Sequence, residues 1–192
     1  MTSETHAAVV RAEPPISNAR LGMMLFVASE AMLFTGLIVG YVVLGFGSGG
    51  FSGMRALPLG LAPVGVALLA ASSAALVMAQ RAVKSSTPAA RWSLAALALG
   101  TVFLGIQAIE WTSLLADGML PASAVNAGML YVVGGVHGLH VVVGLVLLAL
   151  FAVRSARAPL ARATRTSATI TALYWHFVTI VWITLFLMLY IL

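Results

Sequence analysis

The chain has 192 residues, of which 61% are hydrophobic and 8% charged, whereas a water-soluble domain carries about 25% charged residues. A soluble globular fold is excluded on that ground, and an integral membrane protein is expected. The absence of cysteine excludes disulfides, iron–sulfur clusters and thiolate-bound copper or zinc. In chain order, residues 1 to 20 read as a polar arm containing Pro14 and Pro15, without the apolar centre of a signal peptide. Five apolar stretches follow, near residues 21 to 45, 58 to 80, 92 to 115, 128 to 153 and 168 to 192, each close to the ~20 residues that cross a hydrocarbon layer. The expected fold is all-α, an integral membrane five-helix bundle forming one domain over residues 21 to 192.

The first stretch starts after Ser17 and Asn18, which are candidate N-caps, and ends in the glycine-rich run GFGSGGFSG. Its Gly36 and Gly40 form a GxxxG pair, a spacing that lets two membrane helices approach closely. The second stretch has Pro58 and Pro63 in its first turns, where a missing amide donor is tolerated. It carries small residues and no ionisable group, and reads as a close-packed spacer. The third contains Gln107 and Glu110, the fourth GGVHGLHVVVG from Gly134 to Gly144, and the fifth His176.

Between these stretches the cations alternate in abundance. Arg11, Arg20, Arg81, Lys84, Arg91, Arg154, Arg157, Arg162 and Arg165 fall on one side, and Arg55 on the other. The positive-inside rule then places the N-terminus in the cytoplasm and the C-terminus outside. The basic connections are accounted for by topology and attraction to anionic lipid, and no nucleic acid is expected.

An ionisable side chain at the bilayer centre costs about 2.5–3.5 kcal/mol on insertion scales, so each one is a candidate functional residue. These are Glu30, Gln107, Glu110, His137, His140 and His176. At 1.5 Å per residue, Glu30 and His176 both lie roughly 12–14 Å from the basic side and are able to share a layer. Glu110 and His137 are able to meet within a helical turn. Gly134, His137, His140 and Gly144 follow i, i+3, i+6, i+10 spacing, giving one small and polar helix face that wants a neighbouring helix. Two histidines on one face cannot both ligate one haem, although a haem held by one of them with His176 stays conceivable. Zinc would need nearby His and carboxylate ligands, and these residues are scattered over four helices. Interhelical hydrogen bonding, haem ligation and proton traffic all remain open on the residues alone.

Four segments in order, GMMLFVASEAMLFTGL (22 to 37), GIQAIEW (105 to 111), GGVHGLHVVVG (134 to 144) and YWHFVTIVW (174 to 182), resemble subunit 3 of the haem-copper terminal oxidases in its short five-helix bacterial form. The resemblance implies a non-catalytic subunit in the bacterial inner membrane. It would bind no haem or copper itself and would lie beside the catalytic subunit 1 and subunit 2 of a proton-pumping cytochrome c or quinol oxidase that reduces oxygen to water. Phospholipids are implied as ligands, although the two helices that complete the family's lipid cleft have no counterpart here. Glu30 matches the family carboxylate that carbodiimides attack, which is linked with proton uptake and lipid. Glu110, His137, His140 and His176 match its buried polar positions, and Thr179 stands where aspartate is common. Other readings are a subunit-3-like accessory protein of a nitric oxide reductase system, a haem b membrane anchor of a quinone-linked oxidoreductase, and a small proton-coupled carrier using Glu30.

Overall fold

A computed structural model describes residues 17–47, 60–123, 125–158 and 161–190. The arm before Ser17, Arg55, Pro58 and most of the glycine-rich run after Gly47 lie outside them. The described chain forms five helices: α1 (Asn18–Gly47), α2 (Ala62–Lys84), α3 (Ala90–Ala116), α4 (Val125–Arg157) and α5 (Arg162–Tyr190). The shortest has 23 residues, and all five are long and apolar enough to cross a membrane.

Helix ends follow local chemistry rather than hydropathy. Ser17 opens α1: its carbonyl accepts from the Arg20 and Leu21 amides at 2.9 and 3.0 Å, and its hydroxyl oxygen accepts from Arg20 N at 3.4 Å. That is what an N-cap serine does for the orphan amides of a first turn. Pro63 occupies the first turn of α2, whereas Gly60 precedes the helix with a positive φ of 33°. α2 stops when Ser86 takes a left-handed φ of 56°. The Thr87 amide then reaches back to the Ala82 carbonyl at 2.9 Å, a Schellman closure, and Pro88 follows. α3 closes the same way, with Gly118 at φ 82° and the Met119 amide on the Leu114 carbonyl at 3.1 Å.

The basic segment between the fourth and fifth stretches is mostly helical. α4 continues to Arg157 and α5 begins at Arg162, six residues before the apolar stretch does. Charge marks where a helix leaves the hydrocarbon layer, but arginine is a good helix former, so the backbone ladder continues into the polar zone.

α2, α3, α4 and α5 each pack on the next, and α2 also meets α5, which closes a four-helix ring. α1 lies outside that ring in the groove between α4 and α5. It is mostly apolar and uses one stripe for packing: Met23, Val27, Glu30, Phe34, Leu37, Tyr41 and Gly45 are buried or half-buried, at spacings of three and four. This is the seam of a helix pair. Its other faces, with Leu25, Met32, Val43 and Phe46, are exposed, which lipid tolerates and water would not.

The centre of the bundle is Trp175 on α5, fully buried. Its ring lies where side chains are missing on two other helices: an added Cβ would come within 2.7 Å of it at Gly100 and within 2.6 Å at Gly144. Its Nε1 donates to Ser72 Oγ at 3.0 Å, and that hydroxyl donates to the Ala96 carbonyl at 2.7 Å. One side chain thereby ties α2, α3, α4 and α5. α2 is thus more than a spacer, since its two serines supply hydrogen bonds across the bundle. Gly134 similarly receives the Trp111 ring, 2.9 Å from a would-be Cβ.

The GxxxG pair of α1 behaves otherwise. A Cβ at Gly36 would meet nothing within 4 Å, and one at Gly40 only the Met129 terminal methyl at 3.6 Å. Spacing along the sequence gives two glycines one face but does not say which way that face turns. Here the packing seam of α1 is displaced from Gly36.

Candidate functional site

The polar residues of the apolar layer sort into four groups, and the sorting differs from depth counting. Glu30 of α1 meets His140 of α4, with Oε2 and Nε2 3.0 Å apart and side chains 18% and 12% exposed. The other imidazole nitrogen is fixed: Nδ1 lies 2.7 Å from the Val136 carbonyl, which only accepts, so Nδ1 carries a proton. The proton between Nε2 and Oε2 then has two homes. It sits on the imidazole, giving an ion pair, or on the carboxyl, giving a neutral pair with the carboxyl as donor. The Tyr174 hydroxyl of α5 donates to the His140 carbonyl at 3.1 Å, and Phe34 stands edge-on to the imidazole at 5.0 Å. Three helices, α1, α4 and α5, meet in this cluster.

His137 lies one turn away on α4 and faces elsewhere. Three residues advance a helix by 300°, so His137 is rotated some 60° from His140 and turns into the ring rather than toward α1. It is 1% exposed, stacked on Trp182 at 5.1 Å with 21° between planes, and edged by Phe34 and Phe103. Neither of its nitrogens, nor Trp182 Nε1, has a hydrogen-bond partner among the described residues.

The expected pair between Glu110 and His137 is therefore not formed. Gln107 Nε2 donates to Glu110 Oε2 at 3.4 Å within α3, and Glu110 lies near the Leu61 backbone at the start of α2. A carboxylate there complements the positive end of the α2 dipole. The layer shared by Glu30 and His176 is also not a pair: His176 Nδ1 hydrogen-bonds with the Ser73 hydroxyl of α2. Rise per residue fixes depth but not azimuth, and a pair needs both.

Sequence reading missed Ser72, Ser73, Tyr174, Trp175 and Trp182. The signals were present, as two serines inside AASSAA and three of the aromatics inside YWHFVTIVW, but serine is too common in membrane helices to stand out. Thr179 Oγ1 donates to the Trp175 carbonyl of its own helix at 2.9 Å. Among the described residues, no group of three or more His, Cys, Asp or Glu is arranged to hold a metal ion.

The family model described as Cytochrome c oxidase subunit III matches residues 3–192. The chain belongs to the cytochrome c oxidase subunit III family. It is 33% identical over 183 residues to a cytochrome c oxidase subunit 3 of Thermostichus vulcanus, covering 90% of this chain and 86% of that protein. A probable cytochrome c oxidase subunit 3 of Nocardia farcinica is 32% identical, with 88% and 86% covered. A cytochrome bo(3) ubiquinol oxidase subunit 3 of Pseudomonas aeruginosa is 29% identical, with 91% and 85% covered. Subunit III is a multi-pass membrane protein of haem-copper oxidases, and the metal centres are not carried by this family. Of the chain's buried acids and imidazoles, Glu30, Glu110, His140 and His176 are hydrogen-bonded.

Proposed function

We propose that the chain is the non-catalytic subunit 3 of a proton-pumping respiratory oxidase that reduces oxygen to water in a bacterial cytoplasmic membrane. In this reading the N-terminus faces the cytoplasm, and the bundle braces the catalytic subunit 1 and subunit 2 while retaining phospholipid around proton uptake. The haem and copper of the reaction belong to those partners. The observation that carries the reading is the Glu30–His140 pair: an acid and an imidazole inside the apolar layer, fastened to α5 through Tyr174, at the one seam that holds α1 to the ring. A pair that holds one proton between two groups suits a subunit that steadies proton entry without performing redox chemistry.

Replacement of Glu30 by Gln tests it. Gln keeps a hydrogen bond to His140 but removes the shared proton. The oxidase purified with Glu30→Gln is expected to contain all its subunits and to begin at the wild-type rate, then to lose activity in fewer turnovers. Wild-type durability over many cycles would contradict a role in sustained proton uptake.

A further inference from the structure

Both imidazole nitrogens of His137 and Nε1 of Trp182 have no hydrogen-bond partner among the described residues, on side chains only 1% and 3% exposed. A buried donor or acceptor in that state has given up its bond to water and gained none in return. The neighbouring side chains do not supply one. Phe34 and Phe103 edge the imidazole, and on α2 the indole nitrogen meets Gly65, 3.7 Å from a would-be Cβ, which has no side chain to accept. The two orphaned rings stack, 5.1 Å between centroids, so one small molecule beside the stack is able to serve both.

A cavity of about 20 Å³ lies against Trp182, between α3, α4 and α5. Toward the α3–α4 connection its walls are Leu114, Leu130 and Leu189; at the other end stand Trp182 and Gln107. Gln107 follows Phe103 by one turn on α3, and the Phe103 ring touches both His137 and Trp182. On α4, Leu130, Gly134 and His137 follow i, i+4, i+7 spacing, which carries His137 past the apolar walls to the same end. Gln107 Nε2 is turned to Glu110, so its Oε1 is the acceptor available there. A volume of this size exceeds the about 10–15 Å³ that one buried water needs and does not hold two, and such a water makes about three hydrogen bonds. No acid lines the cavity, and an indole N–H repels a cation.

We infer that this cavity is the binding site of a single water molecule, which accepts from Trp182 Nε1 and donates to Gln107 Oε1 and to the His137 nitrogen that carries no proton. In a neutral imidazole one nitrogen is an acceptor, so the three bonds use each group in its own sense. The water joins α3, α4 and α5 at the level where their rings converge. The inference rests on the packing of those helices, not on the oxidase role proposed above. It is independent of Glu30.

The test uses the purified complex that contains this chain, held in lipid nanodiscs. A cryo-electron map sharp enough to show other buried waters should carry one isolated density peak within about 3.2 Å of both Trp182 Nε1 and the Gln107 carboxamide. Trp182→Phe and Gln107→Leu should each lose that peak, whereas Gln80→Leu, which removes a carboxamide elsewhere in the bundle, should keep it. Infrared spectroscopy of the wild-type complex gives a readout that needs no variant to fold: one buried O–H stretch band should shift when ordinary water is exchanged for water with heavy oxygen. Gln107→Leu should abolish that band. A wild-type map with no peak at the site, or with continuous density of an acyl chain filling it, would overturn the inference. So would a peak that persists in Trp182→Phe or Gln107→Leu, or a wild-type spectrum with no oxygen-sensitive band of this kind.

Discussion

His137 and His140 sit three residues apart and have opposite relations to their surroundings. His140 is held at both nitrogens, by Val136 and Glu30, whereas His137 is packed by rings and bonded at neither nitrogen among the described residues. Leucine at position 140 would leave the Glu30 carboxyl without its partner, at a cost of about 1–3 kcal/mol, and the thermal midpoint of the detergent-solubilised protein should fall accordingly. Leucine at position 137 removes polar nitrogens and keeps an apolar side chain, so a change of under about 1 kcal/mol is expected. The same measurement checks it: a large loss for His137→Leu with little for His140→Leu would reverse the two assignments. The presence of buried polar residues was legible in the sequence because charge and imidazole stand out against an apolar run. Their partners were not, because Glu30 pairs with a residue 110 positions away, and its choice of His140 over His176 depends on how each helix is rotated.

At the scale of elements, the helices are joined by close approach and a few hydrogen bonds. Polar interactions between membrane helices average about 0.6 kcal/mol, with a maximum near 1.7, so ring-against-glycine packing carries more of the bundle than any one bond. Gly144→Ala and Gly100→Ala would each push a methyl group into the Trp175 ring, and each is expected to destabilise by about 1–3 kcal/mol through overpacking. Gly36→Ala, with open space beyond, should stay within about 0.5 kcal/mol of wild type; thermal unfolding of the three variants side by side checks the contrast. Ser72→Ala deprives Trp175 of its acceptor and should cost about 1 kcal/mol, which unfolding of the same preparation would register. The five helices were legible from runs of about 20 apolar residues. The start of α1 was legible from its Ser17 cap, but that of α5 was not, since it extends back to Arg162 through residues that hydropathy assigns to water. The glycines that matter could be separated from Gly36 only by seeing which of them face Trp175 and Trp111.

For the whole molecule, α1 is the distinctive part. It lies outside the closed ring of α2 to α5 and touches it along one stripe, and the Glu30–His140 pair with its Tyr174 support is a polar fastening of that seam. A bundle so arranged presents wide apolar surfaces and keeps Glu30, His140 and His176 for internal bonding. The central claim is that redox chemistry belongs to a neighbour while this chain braces it. The most direct measurement is to purify the tagged chain in mild detergent, dissociate the material into its polypeptides, and record the visible spectrum of each. The account predicts that haem absorption copurifies with the tagged chain and then follows the catalytic polypeptide, leaving this chain colourless. A Soret band that stays with this chain after separation would contradict it.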